Sequence, residues 1–197
     1  MAKGKVDRRV QRTRQLLHDA LIDLILEKGY DRTTVQDIID RANVGRSTFY
    51  AHYLDKQDLL ESGLARLREE LGQNLAGDDG AEGAEWMLLP SLALFRHTGQ
   101  QHHLFRAMIG GTGIDVVVKT IDEALTAHAQ ALLDQLIAER GQPCVPPRVM
   151  VTYLVGALMA LLTWWLDNDM PYPPEQMDQT FRELTVSGVA AVFGETQ

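Results

Sequence analysis

Side chains suited to nucleic-acid contact are concentrated in the stretch 33–56, which reads TTVQDIIDRANVGRSTFYAHYLDK. Arg46 carries a guanidinium that can bind base edges or phosphates, and Ser47 and Thr48 beside it supply hydroxyl groups for phosphate oxygens. Arg46 is therefore the best candidate for reading bases. These residue types on one short helix favour a protein that binds DNA over an enzyme.

Two short helices joined by a tight turn are predicted to position these side chains. Thr33 is the predicted N-cap of the first helix, and Gln36 three residues later completes a capping-box pattern. Apolar residues then recur at helical spacing, namely Val35, Ile38, Ile39 and Ala42. Asn43 tolerates the left-handed backbone of a sharp turn. This order of elements predicts a helix-turn-helix.

The second helix and the one after it complete the predicted arrangement. Gly45-Arg46-Ser47 opens the second helix, in which Phe49 is the residue expected to be buried. Lys56 and Asp58 begin a further helix. The N–H groups at the N-terminus of that helix are expected to be available to a phosphate.

These residues resemble the tetracycline-repressor (TetR) family of bacterial regulators over about the first quarter of the chain. The matching residues are Arg12 and Arg14 before the first helix, Lys28-Gly29-Tyr30 closing it, Thr33-Thr34-Val35 and Ile38 in the second, then Val44, Thr48-Phe49-Tyr50, His52-Tyr53, Lys56 and Leu59-Leu60. Ile39 stands where the family usually has a small Ala, and Asn43 stands where it usually has Gly. The substitution at Ile39 implies slightly different or wider packing of the helix pair.

The resemblance implies a role for each residue of the predicted DNA-binding surface. Residues implied to contact phosphates are Thr34, Tyr50, His52 and Lys56. Residues implied to face the groove are Arg46, Ser47 and Thr48. Thr34 and Tyr50 are alternatively ordinary surface hydroxyls, and His52 is alternatively packed among its aromatic neighbours.

The charge of the chain is unevenly distributed. The formal charge is −8, but residues 1–60 carry 11 Lys and Arg against 9 Asp and Glu, whereas residues 61–197 carry 8 against 18. The extreme N-terminus is the most basic part, with Lys3, Lys5, Arg8, Arg9, Arg12 and Arg14 against Asp7. We expect it to be a disordered arm that follows phosphates or enters a minor groove, the alternative being a solvated terminus.

No other chemistry is indicated by the sequence. It contains no Gly-rich phosphate loop, CxxC pair or HExxH motif. His102 and His103 are adjacent and would diverge by about 100° on a helix, which makes a metal site with His97 improbable. The single Cys144 permits no internal disulfide and suits a reducing cytoplasm. We expect no cofactor, no catalytic site and no signal peptide.

The run from Val149 to Leu166 contains no charged residue over 18 positions and lies at the lower edge of a membrane-spanning length. It is interrupted by Thr152, Tyr153 and Gly156. We expect a helix buried on both faces, with one face against its own domain and the other against a second subunit.

The resemblance and the helical pattern together predict an all-α fold of about nine helices. An N-terminal arm and three-helix DNA-binding domain would occupy residues 1–56, with the motif at 34–53. A connecting helix would occupy 57–76, and an effector-binding and dimerisation bundle 77–197. One short helix is expected from Trp86 to His97, kinked by Pro90.

Two further sets of residues are predicted in the C-terminal part. The dimer surface is expected on the last two helices, as a four-helix bundle with the partner, and its candidates are Leu158, Leu162, Trp165, Phe181, Leu184 and Gly188. The family resemblance implies a ligand pocket, and its candidates are Trp86, Phe95, Phe105, Met108, His128, Tyr153 and Met159. His128 is either a polar anchor in that pocket or a core histidine with one hydrogen bond.

The function predicted from these features is a homodimeric DNA-binding regulator, most simply a repressor of a palindromic operator. A small-molecule effector would release it by favouring the state with lower affinity for DNA. The alternative is an effector-independent DNA-binding or protein-interaction dimer of the same fold.

Overall fold

The computed structural model describes residues 3–73, 89–109 and 111–194, with side chains described from residue 8 to residue 64 in the first range. Nine helices and no strand occur in these ranges. Their bounds are α1 Lys3–Lys28, α2 Val35–Ala42, α3 Arg46–Tyr50, α4 Lys56–Gln73, α5 Ser91–Gln100, α6 His102–Met108, α7 Thr112–Arg140, α8 Pro147–Asp167 and α9 Pro174–Val192. The predicted all-α fold is confirmed.

The chain forms two compact units. The first comprises Met1–Leu67 with His103–Thr120, and the second comprises Arg68–His102 with Ile121–Gln197. The predicted functional boundaries at 56 and 76 stay a prediction. Residues 103–120, which the sequence assigned to the C-terminal bundle, cluster with the DNA-binding motif.

The first unit is built around the packing of α1 on α2 and of α2 on α3. Its fully buried side chains include Leu17, Leu21, Ile25, Ile38, Phe49 and Leu59. Two ion pairs join α1 to α2. Arg41 donates to both carboxylate oxygens of Glu27, at 2.8 and 2.6 Å, and Lys28 Nζ lies 2.7 Å from Asp37.

The turn between α2 and α3 has the backbone that its sequence predicts. Asn43 adopts a left-handed conformation with φ 52°, and its N–H donates to the carbonyls that end α2. Val44 N–H then donates to Ile39 O at 3.1 Å. Ile39 itself is buried. The family's usual Gly is therefore replaced by a residue that tolerates the same backbone conformation.

The predicted cap of α2 is wrong by one residue. Thr34, not Thr33, is the N-cap, and Asp37 rather than Gln36 completes the capping box. Thr33 is buried, and its hydroxyl donates to Gly29 O at 2.9 Å. Both threonines can cap, and burial of the first selects the second.

Two helix starts also differ from the sequence-based expectation. Helix α1 begins at Lys3, so Arg12 and Arg14 lie within it, and the basic terminus is helical from Lys3 rather than a disordered arm. Helix α5 begins at Ser91 with Pro90 as its N-cap residue, so Pro90 precedes this helix and does not kink it. The predicted residues Trp86 and Gly77–Gly83 lie outside the described residues.

The second unit packs α5 and α8 against α9. The rings of Phe95 and Trp165 meet edge to face at 5.5 Å, and Trp165 Nε1 donates to Tyr172 O at 2.8 Å. The buried carboxylate of Asp178 accepts from the Ser91 hydroxyl and from Arg182 Nε. The Ser91–Asp178 hydrogen bond therefore joins α5 to α9, and the Phe95–Trp165 contact joins α5 to α8.

Candidate DNA-binding surface and C-terminal sites

The helix α3 presents a polar face to solvent around one buried anchor. Phe49 is fully buried, with its ring edge to face with that of Tyr50 at 5.3 Å. Arg46, Ser47 and Tyr50 are exposed, and Thr48 is half-buried. Burial of Phe49 therefore orients the predicted groove-facing residues toward solvent.

Three cations of the first unit already form ion pairs or hydrogen bonds within the protein. Lys28 pairs with Asp37, and the pKa of that carboxyl is held well below its usual range by hydrogen bonds from Lys28 and Thr34. Arg41 pairs with Glu27, whose pKa is lowered chiefly by that hydrogen bond. Lys56 Nζ donates to backbone carbonyls. These cations stabilise the first unit.

Arg46 differs from these three cations. Its guanidinium lies 6.0 Å from the centroid of the Tyr50 ring, and it makes no hydrogen bond or ion pair with the described residues. A guanidinium that is exposed and unpaired keeps all five of its N–H donors for an external acceptor. Arg46 therefore remains the strongest candidate for base contact.

Three arginines form a second unpaired group on α1. Arg8, Arg9 and Arg12 are exposed, and at helical spacing they lie within an arc of roughly 100°. None of them forms an ion pair with a described side chain. Arg14 is also exposed but lies on the opposite side of the helix, about 200° from Arg12. We call Arg8, Arg9 and Arg12 the α1 basic face.

The remaining predicted phosphate contacts are placed differently from one another. Thr34 is exposed, but its hydroxyl donates to Asp37 Oδ2 at 2.6 Å as part of the cap. His52 is half-buried, with its ring 6.3 Å from that of Tyr53. Tyr50 is 49% exposed and keeps its hydroxyl available. These roles in DNA binding stay predictions.

The start of α4 is already capped by a carboxylate. Asp55 Oδ1 accepts from the N–H groups of Gln57 and Asp58, at 2.8 and 2.9 Å, and Asp58 accepts in turn from Leu54 N–H at 2.8 Å. The expectation that these N–H groups are available to a phosphate is therefore wrong. Sequence inspection missed Asp55, although Asp three residues before Asp58 is itself a capping pattern.

Most predicted dimer residues belong to the core of the second unit instead. Leu158, Leu162, Trp165 and Phe181 are at most 4% exposed within the single chain. They cannot form a subunit interface in this structure, and that part of the prediction is wrong. Only Leu184 and Gly188 lie on the surface, and an added Cβ at Gly188 would contact nothing within 4 Å.

An exposed apolar face does exist on α8 and α9; it is rotated from the predicted one on α8 but keeps the predicted Leu184 and Gly188 on α9. Tyr153 is 62% exposed, Leu184 is 65% exposed, and Trp164 is 45% exposed. The face comprises Val149, Tyr153, Gly156, Ala160 and Trp164 on α8 with Leu184, Gly188 and Ala191 on α9. We call it the α8–α9 face. Large exposed apolar patches mark interaction surfaces.

By length and composition, α8 is also the one helix among the described residues that could span a membrane. Its other face is buried in the second unit, through Met150, Val151, Leu154, Val155, Leu158, Leu162 and Trp165. An apolar helix with one buried face is typical of the core of a helical bundle, so this feature is weak support for a membrane.

The predicted pocket residues are dispersed. Phe105 and Met108 are buried in the first unit, whereas Phe95 is buried in the second. Met159 is half-buried, and Tyr153 lies on the exposed α8–α9 face, so Tyr153 is not a pocket residue within this chain. Trp86 lies outside the described residues. The apolar type of a residue in the sequence therefore did not distinguish a pocket residue from a core residue.

Among the described residues of the second unit, two buried polar atoms lack a hydrogen-bond partner, Thr98 Oγ1 and His128 Nε2. Thr98 is completely buried, and burial lowers the pKa of His128. The predicted single hydrogen bond to a core histidine is therefore absent at Nε2. Buried polar atoms without a partner in the chain are rare, which makes these two atoms candidates for contact with a bound molecule.

Two surface grooves in the second unit have volumes of about 450 and 600 Å³. One is lined by α5 and the 170–174 loop, and the other by α7 and α8. Neither is lined by any of the predicted pocket residues. In the described part of the chain, no group of three or more His, Cys, Asp and Glu side chains could hold a metal ion.

Two family models match most of the chain. The model described as bacterial regulatory proteins of the tetR family matches residues 17–62. The model described as a transcriptional regulator C-terminal region matches residues 90–187. The first match contains α2 and α3, and the α1 basic face lies before it.

Relatives in sequence and structure agree with these matches. The uncharacterised HTH-type transcriptional regulator YxbF of Bacillus subtilis is 28% identical over 186 residues, which are 91% of this chain and 46% of that protein. The chain therefore spans less than half the length of that relative. A putative TetR-family regulator from Syntrophomonas wolfei shares the fold, with TM-score 0.71, 19% identity and coverage of 95% and 97%.

A further structural neighbour is the transcriptional regulator FadR from Bacillus subtilis, solved in complex with stearoyl-CoA. Its TM-score is 0.65 at 20% identity, over 88% of this chain and 98% of that protein. At this identity the likeness establishes the fold.

Proposed function

The chain belongs to the TetR family of bacterial transcriptional regulators, and we propose that it is a homodimeric repressor of a palindromic operator that a small-molecule effector releases. DNA binding through the helix-turn-helix is the family's property. Dimerisation, operator symmetry, cytoplasmic location and release by an effector are the further parts of this proposal.

The observation that carries the proposal is the division of cations in the first unit. Lys28, Arg41 and Lys56 are engaged within the protein, whereas Arg46 is exposed and unpaired on α3 beside Ser47 and Thr48. A guanidinium in a major groove pairs with guanine O6 and N7. This arrangement supports α3 as the recognition helix.

The α1 basic face supports a second contact with the DNA backbone. Contacts with phosphates raise affinity for every sequence and increase its dependence on salt. Arg12 and Arg14 provide a matched pair, since both are exposed arginines on one helix but on opposite sides. We expect Arg12→Gln to weaken binding to all duplexes and to lower the salt slope by about 1.8 per dimer. Arg14→Gln should leave the slope unchanged, and equal effects would exclude a directed face.

The α8–α9 face supports a homodimer. A single short recognition helix makes few specific contacts, and two-fold symmetric proteins place two of them about one DNA turn apart, at roughly 34–36 Å. Gly156 and Gly188 on this face let a partner helix approach closely. Four helices, two from each subunit, would then bury the exposed Tyr153 and Leu184.

The two unpaired polar atoms of the second unit support an effector. A ligand cavity is mostly apolar with a few polar groups that fix orientation, and Thr98 and His128 would supply such groups. The FadR neighbour binds stearoyl-CoA, which makes acyl-CoA a reasonable first probe and not an assignment. A thermal shift with this probe, lost in Thr98→Val, would support the effector proposal.

A selection from genomic DNA fragments with the purified chain tests the proposed function. We expect one palindromic sequence to be enriched, with binding that weakens steeply between about 50 and 200 mM salt. Enrichment of a sequence without two-fold symmetry would contradict a symmetric dimer. Failure to enrich any fragment at either salt would favour the alternative of a protein-interaction dimer.

A further inference from the structure

The turn between α1 and α2 is bound by a single ammonium group from α4. Lys56 Nζ lies 2.9 Å from Tyr30 O, 2.9 Å from Thr33 O and 3.4 Å from Asp31 O. The same nitrogen lies 4.3 Å from the centroid of the Tyr30 ring. One cation therefore contacts three of the six residues between α1 and α2.

This geometry uses the full donor capacity of the lysine. An ammonium has three N–H donors, and three backbone carbonyls face Lys56 Nζ. Burial lowers the pKa of this lysine, as expected for a charge that has left bulk water. A phosphate at this position would have to displace carbonyls that are already bound.

The same turn is also attached to the first residues of α7. The Asp31 carboxylate accepts from the Thr112 N–H at 3.1 and 3.2 Å, and also from the Thr112 hydroxyl. These hydrogen bonds lower the pKa of Asp31. A carboxylate that accepts from the first N–H of a helix stabilises that helix end.

Close packing accompanies these hydrogen bonds. Gly113 lies directly beneath Tyr30, and an ideal Cβ added at Gly113 would come within 2.7 Å of the Tyr30 ring. The ring of Tyr30 is 4% exposed, and burial, together with nearby carboxylates, raises its pKa to about 12. The turn is therefore in contact with both Lys56 and residues 112–113.

The helix-turn-helix begins directly after Thr33, the last residue of the turn that Lys56 contacts. Thr34 is the N-cap of α2, so the position of the turn determines where α2 and then α3 begin. We propose that Lys56 is a positioning residue for DNA recognition, which acts with Asp31 to join the α1–α2 turn to the start of α7. The inference rests on the proposed recognition by α3, and it gives Lys56 a role other than the phosphate contact that the family resemblance implies.

Replacement of Lys56 by Arg and by Met separates the two roles. Arg keeps a charge that can reach a phosphate, but its planar fork cannot place three donors among the three carbonyls. Positioning predicts that both variants bind the selected operator at least about fivefold more weakly. It also predicts that both keep the wild-type slope of log affinity against log salt.

A phosphate contact predicts the opposite pattern. Lys56→Arg would then bind like the wild type, and Lys56→Met would lower the salt slope by about 1.8 for a dimer that loses two contacts. That pattern would overturn the proposal. Circular dichroism and thermal unfolding of each variant show whether it is folded at the temperature of the binding assay.

If the Lys56 variants do not fold, variants of Asp31 and Thr112 test the same proposal. Asp31→Ala and Thr112→Val remove the hydrogen bonds at the start of α7 without changing a predicted DNA contact. We expect both to weaken operator binding at an unchanged salt slope, and Thr112→Val to have the smaller effect. Asp40→Ala is the control, because Asp40 is exposed and its carboxylate accepts from Gln36 on its own helix.

The outcomes distinguish this inference from the proposed function. A wild-type chain that selects no operator would contradict the function itself. A wild-type chain that binds its operator, with Asp31→Ala and Thr112→Val binding equally well, would overturn only the link between the turn and α7.

Discussion

The two units differ in how completely they satisfy their own polar and apolar groups. Among the described residues of the first unit, caps and ion pairs bind many polar side chains, and the unpaired groups include cations on α3 and on the α1 basic face. In the second unit, two buried polar atoms have no partner, and a broad apolar face is exposed. The unpaired cations of the first unit suit a polyanion, whereas the unpartnered polar atoms and the apolar face of the second unit suit a small molecule and an apolar protein surface.

The largest expected effect comes from the α8–α9 face. Tyr153→Glu combined with Leu184→Glu would bury four carboxylates in the proposed dimer, and we expect dissociation and a loss of operator affinity of about 100-fold or more. Sedimentation equilibrium measures the first effect and fluorescence anisotropy the second.

Gln179→Glu is the control for that variant, since Gln179 is exposed on α9 on the side away from Gly188. It adds a carboxylate to the same helix and should leave the dimer intact. A double variant that stays dimeric would show that this face is covered by something other than a second copy of the chain.

An intermediate effect is expected for the unpaired cation of α3. Arg46→Ala should reduce the ratio of operator to nonspecific affinity by roughly 10- to 100-fold for each half-site, because a bidentate base contact is worth about 1–3 kcal/mol. Arg41→Ala is the matched control, because its guanidinium pairs with Glu27. Competition binding against random-sequence DNA should show that Arg41→Ala keeps its discrimination. Equal loss in both variants would remove the distinction between paired and unpaired cations.

The smallest effect is expected at the unpaired polar atoms of the second unit. Because burial lowers the pKa of His128, the unfolded chain binds more protons there, so protonation of this side chain favours unfolding as pH falls below about 6.5. The thermal midpoint of His128→Leu should therefore fall less than that of the wild type between about pH 7.5 and 5.5. Parallel pH profiles would show that His128 does not titrate differently on folding.

The fold and the motif were predictable because local patterns determine them. Helix order follows from apolar spacing and from Gly and Pro positions, and Asn43 marked the turn through its own backbone preference. Arg46 and Phe49 were assigned correctly as exposed and buried, because a short helix between two turns leaves one residue to anchor it.

The remaining errors have a common physical cause. Both faces of α8 are apolar, so the spacing of apolar residues could not show which face packs within the chain and which is exposed. Leu158 and Trp165 were therefore assigned to the wrong face. Lys56 and Asp31 bind groups distant in sequence, and no local pattern records such contacts. Whether a polar group finds a partner is a property of the folded chain.

Hydroxyl-radical footprinting of the wild-type chain on its selected fragment tests the central claim most directly. A dimer with two recognition helices predicts two protected clusters related by a two-fold axis, with centres roughly 34–36 Å apart. Tyr153→Glu with Leu184→Glu should abolish both clusters together. A single cluster, or two clusters that persist in that variant, would contradict a symmetric dimer formed through the α8–α9 face.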